Sequence, residues 1–233
     1  LGHGGGRLGY LAGLLLRTPL QFFGGRRQVS GTGSQATNGL TQTASNLPQL
    51  GCCDIGMSGQ LAELILAVAG ESVTVMKRNA PERALKLKRQ DEWGIYLEFL
   101  KVMFNLTDRL SALYLPINAQ PQFMDSLEDA VTLQLKNVLE PAFGSGSDQM
   151  EIMLTVGAAV AESRQTYERY RFLVTENNPV KDEMLKDFGG RVADAMGIAG
   201  NAQVSSAATL CASAVIPAIK SILVGDAPPI ATV

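Results

Sequence analysis

The sequence predicts an all-α fold: a compact bundle of five to six helices around one central buried helix, behind a glycine-rich N-terminal segment expected to be disordered. Three observations carry that expectation. Apolar residues recur at helical spacing through most of the chain beyond residue 57. No stretch alternates apolar and polar residues as a half-buried strand would, and no repeat of fixed period is present. One stretch, Asp91–Leu115, runs without a proline and carries the only tryptophan.

That stretch explains the word central. Projected at about 100° per residue, Trp93, Tyr96, Leu97, Leu100, Met103, Phe104 and Leu110 share one broad face. Ile95, Phe99, Val102, Leu106 and Leu113 fill the adjoining sector. A surface helix shows a limited apolar stripe and a wide polar face; this one reverses the proportion, so neighbours are expected on two sides. Pro116 stops it, because proline cannot continue the helical ladder.

The remaining elements follow in chain order. Residues 1–56 are rich in Gly, Ser, Thr, Gln and Asn, with one apolar patch, Leu8–Phe23, too short and too broken by Arg17 and Pro19 to span a bilayer. The chain begins at Leu1, and Met57, its first methionine, stands where the ordered pattern is expected to begin. The helical domain is expected over residues 57–224, with a disordered tail at 225–233. Ser58 predicts the cap of a first helix reaching Asn79. A basic run follows (Lys77, Arg78, Arg83, Lys86, Lys88, Arg89), read as a solvated helix start. Beyond the central helix, the pattern predicts a helix over Phe123–Leu139, opening with Asp125, Glu128 and Asp129 near its positive end. Another is predicted from Ser147 or Asp148 to Val174, with Ile152, Met153, Val156, Ala159, Val160, Ser163, Tyr167 and Tyr170 on one face. Asn178-Pro179 predicts a cap and first turn, and Gly189-Gly190 a weak or kinked helix behind it. The last helix, Ala202–Val224, contains Pro217 and lies in a region without charge from Ala195 to Pro217. Its many alanines and serines favour a buried small-residue helix over a membrane span.

Composition narrows the chemistry. The single histidine, His3, sits in the glycine-rich terminus, so no histidine-based catalytic or zinc site can be built in the helical domain. The glycine-rich run 31–39 lacks the Gly-Lys-Ser/Thr of a phosphate loop. A net charge of −2 and few aromatics argue against a nucleic-acid partner. Cys52, Cys53 and Cys211 form no CxxC pair and read as reduced thiols, which points to a cytoplasmic location. No catalytic residue, metal ligand or cofactor is assigned.

Two constellations remain. The narrow polar strip of the central helix, Glu98, Lys101, Asn105, Asp108 and Arg109, is the candidate binding site, because only that arc of the helix is free of apolar side chains. Arg164, Tyr167, Tyr170 and Arg171 form the candidate partner interface, since tyrosine and arginine are enriched among interface anchors. The leading functional reading is a non-enzymatic interaction or scaffold module, self-associating as a homodimer or binding a protein partner. The alternative is a ligand-binding or carboxylate-based, metal-assisted enzyme inside the bundle. A third reading, peripheral membrane contact, rests on the basic run and the Leu8–Phe23 patch.

Overall fold

Asp91–Tyr114 lies within one helix, with Leu115 its extended C-cap, and every other long helix packs on it. The computed structural model describes residues 51–143, 149–172, 174 and 178–225. These form six long helices and one single turn, with no strand among the described residues. They are α1 (Gly51–Asn79), α2 (Pro81–Ala84), α3 (Arg89–Tyr114), α4 (Gln120–Phe143), α5 (Gln149–Tyr167), α6 (Pro179–Ala195) and α7 (Ala202–Val224).

Fourteen of the 26 residues of α3 are buried, which only a helix covered on most of its circumference can achieve. The ring of Trp93 stacks on Tyr96 at 5.2 Å, and Phe99 meets Phe188 of α6 edge-on at 5.1 Å. Each large apolar side chain buried in this way contributes about 1.5–3 kcal/mol. At its start, the Lys88 backbone N–H donates to the Asp91 carboxylate at 3.0 Å, satisfying a donor the helix cannot.

Around α3 the other long helices form a ring in the order α1, α4, α5, α6, α7, and α7 returns to α1. The closure is antiparallel: Gln203 bonds Asn79 at one end, and Cys211 bonds Ser72 two turns further along. Gln134 of α4 donates to the Gly59 carbonyl of α1 at 3.0 Å. Thr209 of α7 donates to the Leu185 carbonyl of α6 at 3.0 Å. Only α5 and α6 barely touch through their backbones. That joint is filled by side chains.

Several expected boundaries move. α1 begins at Gly51, so Ser58 is a buried residue inside it rather than its cap. α4 begins at Gln120, and Asp125, Glu128 and Asp129 fall beyond its first turn, which carries no acid. The same helix runs past Pro141. α5 stops at Tyr167, and Met153 points to solvent rather than to the core. α6 runs unbroken through Gly189-Gly190, because Gly189 is where α7 comes closest: a Cβ there would collide with the Ser205 carbonyl oxygen. The Asn178 cap is present, its side chain accepting from the Val180 N–H at 3.0 Å, and Asn201 caps α7 in the same way. α7 continues through Pro217, which lies on its exposed side. Residues 1–50 of the expected leader and 226–233 of the expected tail lie outside the described residues, and residues 51–56 belong to α1.

Candidate functional site

The polar strip of α3 faces two different neighbours. Its first half, Glu98 and Lys101, lies under the joint between α5 and α6. Lys101 Nζ sits 2.8 Å from Glu98 and 2.7 Å from Glu162 of α5. Glu98 turns its other oxygen to Arg191 of α6 at 3.5 Å. Arg191 also pairs with Asp187 at 3.1 Å, and Asp187 takes Arg169, just beyond α5, at 2.8 Å. The network thus runs from α5 across α3 to α6 and back. Burial alone would lower the Lys101 pKa; hydrogen bonds and charge from Glu162 and Glu98 outweigh it and hold the ammonium above its usual value.

The second half, Asn105, Asp108 and Arg109, faces α4 and the end of α5. Arg109 Nε donates to Asn105 Oδ1 at 2.8 Å, and its Nη2 donates to the Tyr167 carbonyl at 2.9 Å. Tyr167 is the last residue of α5, so Arg109 places a cation on a carbonyl at the negative end of that helix, one that also accepts from the Tyr170 N–H at 3.1 Å. The guanidinium also lies 4.5 Å from the Phe172 ring centroid. Gln120 donates to both the Asp108 carbonyl and its carboxylate. Asn105 and Asp108 line a crevice with Phe104, Met124, Val160, Ser163 and Arg164. Its volume is about 190 Å³ even with the open solvent at its mouth, below the roughly 300 Å³ at which ligand pockets begin.

The expected partner residues divide in two. Arg164 and Arg171 are exposed. Tyr167 and Tyr170 are buried inside the domain, and neither ring is available to a partner. Arg191 lies over the Tyr167 ring at 4.8 Å, and burial raises the Tyr167 hydroxyl far above its ordinary range, with Arg191 opposing. Arg169 covers the Tyr170 ring and donates to its hydroxyl at 2.7 Å. The tyrosines thus help to fill the α5–α6 joint.

The chemistry of this arrangement is one of cancellation. Glu98, Glu162 and Asp187 supply three negative charges; Lys101, Arg169 and Arg191 supply three positive ones. No net charge is left over to draw an ion or a charged substrate. Glu98 and Asp108 lie on opposite halves of the strip, so its carboxylates do not converge. Among the described residues, no group of three or more His, Cys, Asp or Glu could hold a metal ion. The basic run is also partly committed: Lys77 pairs with Glu92 at 2.6 Å, and Arg83 donates to the Met196 carbonyl at the end of α6.

The most distinctive surface was only half legible in the sequence: Gly157, Ala158, Ala159 and Ala161 stand out as small residues that permit another helix to approach, but the exposure of their large neighbours does not show. On α5, Met150, Met153 and Leu154 are 58%, 46% and 64% exposed. Their spacing of i, i+3 and i+4 places them on one face. Gly157, Ala158 and Ala161 extend that face toward the C-terminus, Ala158 and Ala161 exposed and Gly157 half-buried. The signal was present: α5 is apolar on nearly all sides as far as Ala161, a pattern that does not reveal which side a partner covers. Comparison with protein-family models, with curated proteins and with solved structures finds no match for this chain.

Proposed function

We propose that this chain is a non-enzymatic helical interaction module that self-associates, with the outward face of α5 as its docking surface. The observation that carries this reading is the run of exposed Met150, Met153 and Leu154 continued by Gly157, Ala158 and Ala161. Single exposed apolar residues are ordinary; a contiguous uncharged stripe offers a face on which a second copy can pack. The polar strip of α3 offers less support for the ligand-binding alternative, because its charges are spent within the domain. A cytoplasmic location goes with this reading, since free thiols such as Cys211 are usual in a reducing compartment.

The test is light scattering on the full chain over a concentration series, alongside the Leu154→Asp variant. The expected result is reversible association with Kd between about 10 μM and 1 mM, weakened at least about tenfold by the aspartate, with the helical circular dichroism unchanged. A chain that stays monomeric throughout and instead floats with anionic liposomes would favour the peripheral membrane reading. That reading rests on the basic run and the Leu8–Phe23 patch; separately, among the described residues, α1 over Gly56–Asn79 and α7 are long and apolar enough by composition to cross a bilayer.

A further inference from the structure

The stripe on α5 has an internal symmetry. Its large residues, Met150, Met153 and Leu154, occupy the first half, and its small ones, Ala161, Ala158 and Gly157, occupy the second. Reflected about the midpoint between Thr155 and Val156, Met150 falls on Ala161, Met153 on Ala158 and Leu154 on Gly157. Every level along the helix that carries a large residue is matched by an equally distant level that carries a small one.

From this pattern we infer the partner and its register: two copies of this chain pair α5 against α5, antiparallel, about a two-fold axis passing between Thr155 and Val156. This rests on the reading of α5 as a self-associating surface and specifies its geometry. A two-fold contact must use the same patch on both copies. An antiparallel pairing on this axis sets each Met or Leu at the level of a Gly or Ala of the other copy. A parallel pairing would put Met150 on Met150 and leave small residues facing small across a gap.

The stripe also fits a known mode of helix packing. Met150, Leu154 and Ala158 form one ridge of residues four apart; Met153, Gly157 and Ala161 form the next. The two-fold lays the first ridge of one copy beside the second ridge of the other, at the shallow crossing angle of about 20° seen in bundles, which keeps the paired levels in contact along the helix. Neither ridge carries a charged residue, although the Glu128 carboxylate of α4, which would stand 3.2 Å from a Cβ at Gly157, borders the contact.

Its extent sets its strength. Twelve residues of helix span about 18 Å, so a single α5 pair covers on the order of 200–300 Å² per copy, against about 800 Å² in a standard stable interface. The pair is therefore transient and fills only at high concentration.

The test uses the full chain with Cys52, Cys53 and Cys211 replaced by serine, carrying either Met150→Cys or Ala161→Cys at these exposed positions. Each variant is oxidised alone and as an equimolar mixture, beside light scattering at the same concentrations. The antiparallel register predicts crosslinked dimer from the mixture and its loss from either variant alone, because like positions lie about 16 Å apart, beyond the reach of a disulfide. Association in solution with crosslinking of the single variants, or with none from the mixture, overturns the register and leaves self-association standing. A monomer at every concentration overturns the self-association on which the register rests.

Discussion

Gly189 and Gly190 are neighbours in sequence under opposite constraints. A Cβ on Gly189 would meet the Ser205 carbonyl and the Thr209 hydroxyl, whereas nothing lies within 4 Å of a Cβ on Gly190. Gly189→Ala should therefore cost about 1–3 kcal/mol of stability through overpacking. Gly190→Ala should gain about 0.5–1 kcal/mol through helix propensity and a less flexible unfolded chain. Denaturant melts of the two variants check this; equal effects would refute the close approach of α6 and α7. Glu128 supplies a pH-dependent counterpart. Burial, then the charges of Asp125 and Asp129, raise its pKa, with Arg164 opposing. Between the ordinary glutamate pKa and this raised one, the folded chain holds the proton that the unfolded chain has released. Stability from this site is thus present at low pH and lost as pH rises through the raised value. Glu128→Gln should raise the melting temperature at neutral pH and flatten that dependence. A doubled glycine is visible in the sequence; the carbonyl that makes one of the two indispensable belongs to a helix 16 residues away in the chain, and no local pattern points to it.

Among the elements, α7 was legible to both ends, because Asn201 and Gly225 are strong local signals and its periodicity is unbroken. α5 was the least legible. Its apolar residues occur all round, so periodicity could not say which side is inside, and Met153 fell on the wrong one. The fastening of α5 depends on residues from three helices that sequence could not place together: Asp187 and Arg191 stand at helical spacing, yet nothing local shows that Glu98 lies between them and Lys101. That fastening should be unequal in strength. Glu162 is more than half exposed, so Glu162→Gln should cost less than about 1 kcal/mol. Lys101→Met removes the shared cation from Glu98, which is largely buried, and should cost about 1–3 kcal/mol. Chemical denaturation of both variants decides it; equal losses would mean that the network does not bear on Glu98.

For the whole molecule, the central place of α3 could be read from its nearly all-round apolar pattern, because a helix without a wide polar face must be covered. The order of the ring could not, since it is fixed by contacts between residues far apart in the chain. The closing contacts show it: Asn79 and Gln203 already meet across 124 positions. On a ribosome adding about 5–20 residues per second, those positions take roughly 6–25 s to make. For that time the flank of α1 that α7 will cover has no partner from its own chain. Leu61, Ile65 and Val73, fully buried in the finished domain, belong to a helix whose surroundings are the last to be completed. The nascent chain is therefore most exposed to misassociation through its first described helix, and the domain becomes whole only once α7 has been made and has closed on α1.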